Sequence, residues 1–180
     1  MIILGLGANL ESDQGTSPAA SLELACRRFA AIGIEVQRRS PWFESAPVPI
    51  SDQPWFVNGV VGVSSQLSAR EMLAAIKQLE AWFGRRDESR WAARPMDIDI
   101  LDYRGQVRPD VATWHEGSEA DRSALVLPHP RLHQRRFVLA PLEEMAADWR
   151  HPVFHKTAAQ LLAALDDDPA AVRALRSGPS

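Results

Sequence analysis

The residues richest in chemistry lie between positions 85 and 99. In Arg90-Trp91-Ala92-Ala93-Arg94-Pro95-Met96-Asp97-Ile98-Asp99-Ile100-Leu101 the second half alternates, with Met96, Ile98 and Ile100 on one side and Asp97 and Asp99 on the other. Side chains change face at every residue of a strand, so residues two apart share a face at a separation of roughly 6.5–7 Å. Read as a strand, the segment sends its apolar side into a core and stands two carboxylates together on the opposite face. Acids so placed bind one hard cation jointly, or two cations bridged by phosphate oxygens. They also repel each other, which demands a counter-charge. Arg85, Arg86, Arg90 and Arg94 all precede Asp97 within twelve residues, and the arginine fork matches phosphate oxygens. The bland alternative is the wet face of an antiparallel sheet beside a solvated loop. The arginines, with a tryptophan among them, favour a metal-and-polyphosphate site.

The elements that must position these groups follow from pattern. Met1 to Leu6 is a short apolar run, suited to a strand buried on both faces. Its Gly5-x-Gly7 pair lacks the third glycine of a dinucleotide loop, and no Gly-Lys-Ser/Thr phosphate loop occurs. Ser17-Pro18 opens a helix that Gly33 stops. Ile34 to Phe43 reads as one strand, and Glu44 to Pro54, with three prolines, as a loop. Trp55 to Gln66 reads as a strand with Phe56, Asn58 and Val60 on one face. An aromatic ring and an amide two residues apart can stack on and hydrogen-bond a flat heterocycle; a core aromatic beside a satisfied Asn is the plainer reading. Ser68 and Glu71 form a capping box for a helix with Met72, Ile76, Leu79 and Phe83 buried, ending at Gly84. Glu80, at the edge of that stripe, either orients a loop arginine or is a surface acid. Asp102 to Gly105 reads as a tight turn.

The rest of the chain is less informative. Gln106 to Ser123 is polar and irregular, with Trp114-His115 as readily surface packing as a site. Leu125 to Pro130 is extended, Arg131 to Ala146 helical, and Thr157 and Gln160 cap a last short helix to about Leu165. His133 and Arg131 are expected at the surface, and residues 166–180 are expected to fray.

Composition sets wider limits. A chain of 180 residues, 46% of them hydrophobic, suits one globular domain, here placed at 1–165 with an insert at about 106–123. A charged fraction of 24% and a net charge of −3 give no footprint of a nucleic-acid binder. Only Lys77 and Lys156 are lysines, so any phosphate chemistry depends on arginine. Cys26 is the sole cysteine, which excludes an internal disulfide and suggests a buried thiol in a reducing compartment. With no signal peptide and no apolar run of the roughly 20 residues that cross a bilayer, the expected location is the cytoplasm.

Taken in order, Gly7-Ala8-Asn9-Leu10, Asp52-Gln53-Pro54 through Asn58, Arg90-Trp91 with Arg94, Asp97-x-Asp99, and Pro128-His129 through Arg135 and Phe137 resemble the 6-hydroxymethyl-7,8-dihydropterin pyrophosphokinase family of folate biosynthesis. The resemblance runs from about residue 2 to 165. It implies an α+β, ferredoxin-like fold, a mainly antiparallel sheet with helices on both faces. It also implies transfer of pyrophosphate from ATP, the co-substrate, to the hydroxymethyl group of the pterin, leaving AMP. By the same resemblance Asp97 and Asp99 hold two Mg²⁺ ions and act with Arg85 and Arg94 as the catalytic set. Ser45, Ala46, Val48, Phe56, Asn58, Trp91 and Phe137 bind the pterin, and Glu80, Arg86, Arg90, Ile98, His129 and Arg135 bind ATP. The protein is expected to act as a monomer on these small molecules, with neither nucleic acid nor membrane as partner. Four departures stand out: a loop between Gly84 and Trp91 one residue shorter than the common pattern, Asp87 where a basic residue is frequent, Ala92-Ala93 for Gly-Pro, and Pro130 after His129. The first three make a pterin- or nucleotide-binding paralogue with little transferase activity the alternative. A metal-dependent nucleotidyltransferase is less well supported, because no Gly-Ser pair precedes Asp97.

Overall fold

The computed structural model describes residues 1–47, 49, 51–85, 93–115, 125–166 and 171–175. Strand β1 (Ile2–Ala8) lies between β4 (Phe56–Ser65) and β5 (Asp97–Tyr103), antiparallel to both. Both faces of β1 are covered, in keeping with its unbroken apolar run. The long β4 carries two partners on its other edge, β2 (Ile34–Arg39) and β3 (Phe43–Ser45), and β6 (Val172–Ala174) adds itself outside β3. The result is a six-stranded antiparallel sheet in an α+β fold.

Helices close both faces. On one, α1 (Pro18–Arg28) and α2 (Ala69–Trp82) pack Leu22, Met72, Ile76 and Leu79 onto Leu4, Leu6, Val61, Val63, Ile98 and Ile100. On the other, α4 (Arg136–Met145) and α5 (Ala158–Leu162) pack Leu139, Leu142 and Leu161 onto Ile3, Val60 and Leu101. A one-turn helix α3 (Val111–His115) precedes them. The capping boxes at Ser68 and Thr157 form as expected. Among the described residues no helix is long and apolar enough to cross a membrane.

Four local expectations are corrected. The predicted strand Ile34–Phe43 is two strands, broken where Pro41 can donate no ladder hydrogen bond. Ser40 stitches the break, its Oγ accepting from the Val60 N–H at 3.0 Å and its own N–H donating to the Val60 carbonyl at 3.0 Å. The tail was expected to fray, yet Val172–Ala174 pairs with Phe43–Ser45 in register. Trp114 is buried, with its Nε1 donating to the Pro128 carbonyl at 2.8 Å. His133 is half-buried and sits with its ring centroid 4.9 Å from that of Phe154 and 5.9 Å from that of His151. The thiol of Cys26 is partly buried against the core, and burial pushes its pKa up to about 11, which makes it a poor nucleophile.

Candidate active site

The alternation of β5 places the acids as the sequence suggests. Ile98 and Ile100 enter the core under α2, while Asp97 and Asp99 stand on the face that α4 and α5 cover further along at Leu101. Register carries that face across the sheet. Gly7 of β1 is opposite both Asp97 of β5 and Asn58 of β4, and Gly5 is opposite both Asp99 and Val60. The acids and the amide therefore share one face, two strand spacings apart, or about 9.5 Å. Between them β1 offers glycine. A Cβ at Gly7 would lie 2.9 Å from Asn58 Oδ1, and one at Gly5 would lie 3.1 Å from Leu101. The Gly5-x-Gly7 pair thus has a physical reason: it keeps the floor between acids and amide bare.

Each acid carries cations from different elements. Arg85, just past α2, places Nη1 2.7 Å from Asp97 Oδ1, and Arg94 reaches the same oxygen at 2.9 Å. Arg135, at the start of α4, sits 3.3 Å from Asp99 Oδ2, with His129 Nε2 at 3.7 Å. The two acid side chains remain 29% and 37% exposed, so each ion pair adds only about 0–1 kcal/mol to stability. A cluster that repels itself and returns so little is poorly explained as a fold stabiliser.

The charges of the pair differ by environment. Burial and the neighbouring Asp99 push the carboxyl of Asp97 up. Burial also opposes ionisation of Asp99, but His129 while protonated, with Arg135 and Arg85, outweighs it and holds that carboxyl down. His129 itself is pushed down to about 4 by burial, despite the pull of Asp99, so at neutral pH Arg135 is the standing counter-charge. His129 Nδ1 accepts the Arg131 N–H at 3.1 Å, which leaves the ring proton of the neutral tautomer on Nε2, the nitrogen nearest Asp99.

Glu80 is not a surface acid. It is buried on α2, accepts the Ile98 N–H at 2.7 Å and pairs with Arg85. Burial, reinforced by Asp97 and opposed by Arg85, raises its pKa to about 7. The carboxylate thus ties the acid-bearing strand to the arginine after α2. Gly84 makes the approach possible: its φ is +96°, and a Cβ there would lie 2.4 Å from Asp13 Cγ. Ile98 borders the site through its main chain alone, since its side chain is in the core.

At the other end of the slot Asn58 is buried, and its Nδ2 donates to Ser45 Oγ at 2.8 Å. Phe56 lies opposite Ser45 on the same face. The Ala46 N–H, expected to help line a pterin pocket, is taken by the Ala171 carbonyl at 3.0 Å. Helix α4 crosses β4 and β3 on this face, with Phe137 in its first turn and the Arg135 guanidinium 5.7 Å from the Phe137 ring centroid. The structure thus gathers Arg85, Arg94, Asp97, Asp99, Glu80, His129 and Arg135 at one end and Ser45, Phe56 and Asn58 at the other. Val48, Arg86, Arg90 and Trp91, together with Asp87 and Ala92, lie outside the described residues.

One residue was missed as a working part. Asn9, buried just past β1, accepts the Arg94 N–H on Oδ1 at 2.7 Å, while its own N–H donates to the Arg94 carbonyl at 3.0 Å. Its Nδ2 reaches Gln53 Oε1 at 3.3 Å and the Pro54 carbonyl at 3.2 Å. One amide therefore ties the segment carrying Arg94 to the loop before β4. An Asn directly after a buried strand was the available signal, because that side chain readily bonds backbone; its partners, 44 to 85 positions away, were not.

Comparison with known proteins adds an independent line. A family model described as 7,8-dihydro-6-hydroxymethylpterin-pyrophosphokinase matches residues 3–147. A 2-amino-4-hydroxy-6-hydroxymethyldihydropteridine pyrophosphokinase of Methylorubrum extorquens is 37% identical over 146 residues, 81% of this chain and 82% of that protein. A protein of the same name from Synechocystis is 33% identical over 164 residues, 91% of this chain and 75% of that one. The wild-type HPPK-DHPS of Plasmodium falciparum, solved with pteroate, shares the fold at a TM-score of 0.64 and 15% identity, covering 90% of this chain and 43% of that one.

Proposed function

This chain belongs to the 7,8-dihydro-6-hydroxymethylpterin-pyrophosphokinase family, and on that premise we propose that the two-ended slot on its sheet is where the family's reaction takes place. The reaction is the transfer of pyrophosphate from ATP to the hydroxymethyl group of 6-hydroxymethyl-7,8-dihydropterin in folate biosynthesis. The observation that carries the assignment is the shared face. Asp97 and Asp99 share a sheet face with Asn58 across bare Gly7 and Gly5, and each acid has its own guanidinium from a separate element.

The donor set fits magnesium. Two carboxylate side chains on one strand face suit a hard cation that keeps several waters and draws its remaining oxygens from substrate phosphates. Among the described residues no third acid, histidine or cysteine completes a protein-only metal cage. Asp97 and Asp99 would hold two ions, and when bound these neutralise phosphate charge and polarise the phosphorus under attack.

The chain's own residues supply alignment and charge. Arg85, Arg94 and Arg135, now against carboxylates, exchange them for phosphate oxygens of the same fork geometry when nucleotide enters. Neutral His129 offers its Nε2 proton to a phosphate oxygen. Asn58, held by Ser45, reads the edge of the pterin, and Phe56 and Phe137 bound its ring. The pterin hydroxymethyl oxygen then bonds to the β-phosphorus of ATP as its proton passes to water, and the bond from that phosphorus to the oxygen bridging the α-phosphate breaks. AMP leaves with the electron pair. Holding the reactants in line is the main contribution asked of the protein.

The test is an assay with Mg²⁺, ATP and 6-hydroxymethyldihydropterin that follows AMP. Pterin-dependent AMP with the pyrophosphorylated pterin as co-product is the expected result. Tight pterin binding without AMP would make the chain a binding paralogue, and free pyrophosphate with transfer of AMP would make it a nucleotidyltransferase.

A further inference from the structure

The strand β6 lies far along the chain from the residues assigned to the pterin, yet it pairs with β3, which carries Ser45. Its register sets Ala174 opposite Phe43, Arg173 opposite Glu44 and Val172 opposite Ser45. The Leu175 N–H donates to the Trp42 carbonyl at 2.7 Å, and the Ala46 N–H donates to the Ala171 carbonyl at 3.0 Å. Both ends of β3 are thereby tied to β6. On the face turned away from Asn58, Arg173 reaches Glu44 Oε2 from Nε and Nη2, each at 2.9 Å, and its guanidinium lies 4.8 Å from the ring centroid of exposed Trp55. Leu175 packs on the main core.

We infer that residues 171–175 are a brace that sets the position of Ser45 and the Ala46 peptide, and through Ser45 the buried amide of Asn58. A three-residue strand such as β3 has little hold on β4 alone. A strand on its outer edge converts an exposed backbone into a paired one and fixes the peptide plane between Ser45 and Ala46. Ser45 Oγ is the acceptor for Asn58 Nδ2, so movement of β3 rotates the amide that faces the slot. The acids at β5 lie two strands further on and are untouched by β6. Arg173 is accordingly a positioning residue for the pterin and not for ATP. The inference rests on the assignment of Ser45 and Asn58 to the pterin.

Two variants of the full chain test it. Arg173→Pro removes a backbone donor in the middle of β6 together with the guanidinium. Arg173→Glu opposes Glu44, and adding Glu44→Arg restores the pair with its sense reversed. For Arg173→Pro the expected result is a loss of about tenfold in pterin affinity, the scale of one buried hydrogen bond, with the KM for ATP within about twofold by the same separation of sites. For Arg173→Glu a smaller loss of the same kind is expected, recovered in the double variant. Unchanged pterin affinity in Arg173→Pro, or a parallel fall in ATP affinity and thermal midpoint, would overturn the brace while leaving the pterin assignment standing. Absence of pterin binding by the unaltered chain would overturn both, and would be seen before any variant was made.

Discussion

The two ends of the slot are built in opposite ways. At the acid end, charged side chains from α2, β5, the segment before β5 and the start of α4 meet at two carboxylates. The pairs at Asp97 and Asp99 are partly exposed and individually weak, whereas Glu80 behind them is buried. At the amide end the parts are buried and mostly uncharged: Asn58, Ser45, a paired backbone and, across from them, bare glycine. The first arrangement can trade partners, because a guanidinium passes from carboxylate to phosphate with little change of geometry. The second cannot, because a buried amide that loses its partner costs about 1–3 kcal/mol. The comparison teaches that the charged end is adaptable and the amide end is fixed.

The largest effects should come from removing an acid. Asp97→Ala and Asp99→Ala are each expected to lower kcat by about 10³-fold or more, the loss of several kcal/mol of charge stabilisation in the transition state. Pterin binding, read by fluorescence or calorimetry, should survive in both, because Asn58 is two strands away. If pterin binding fell as far as turnover, the two ends would not be separable and the contrast would break.

Gly7→Ala tests the floor between them. A Cβ at Gly7 meets Asn58 Oδ1 at 2.9 Å, and Asn58 is held by Ser45, so the amide must turn. Pterin KM should rise by about 10–100-fold, the cost of one misplaced buried hydrogen bond, while ATP KM changes little. A drop in ATP affinity of the same size would show that Gly7 serves the acid end instead.

Asn9 sits where the two modes meet, and its removal should be felt at both ends but more mildly. Asn9→Ala deletes an acceptor for the Arg94 N–H and donors to Gln53 and the Pro54 carbonyl. Stability should fall by about 1–3 kcal/mol, read by denaturant unfolding, with both KM values raised severalfold. A change confined to one substrate would sharpen the comparison by assigning Asn9 to that end.

The same division governs what the sequence disclosed. Asp97 and Asp99 were legible because their alternation with Met96, Ile98 and Ile100 is local, and period two fixes the face without knowledge of any partner. The capping boxes at Ser68 and Thr157 were legible for the same reason. Glu80 was left undecided because its partner, the Ile98 N–H, is 18 residues away. The bond from Trp149 Nε1 to Asp102 Oδ2, at 2.8 Å, spans 47 residues and left no local trace. Alternation ends at Arg38, and the break at Ser40 was missed because the apolar Trp42-Phe43 beyond it suits a strand; the outcome turned on Pro41 and on a side chain reaching Val60. β6 was the furthest from view: Val172–Ala174 is short and lies in a tail rich in Ala, Asp and Pro, and only its pairing with β3, some 129 positions earlier at Glu44 and Arg173, makes it a strand.

The smallest predicted effect concerns Glu80, the one acid that belongs to the fixed architecture while touching the adaptable end. Its pKa of about 7 in the folded protein exceeds the unfolded value near 4.3, so between those values the folded state binds more protons than the unfolded one. Stability from this group is then greatest below the unfolded pKa and declines as pH rises toward 7, levelling above it. Glu80→Gln keeps an acceptor for the Ile98 N–H and removes the titration. Its unfolding free energy should therefore show a shallower fall than the unaltered chain between about pH 4.5 and 7, measured by urea unfolding at fixed ionic strength. The variant also deprives Arg85 of one carboxylate and leaves it Asp97 alone, so ATP KM should shift by no more than a few fold if Arg85 is free to exchange partners. A steep loss of ATP affinity with an unaltered pH slope would mean that Glu80 is charged throughout and belongs with the exchangeable ion pairs.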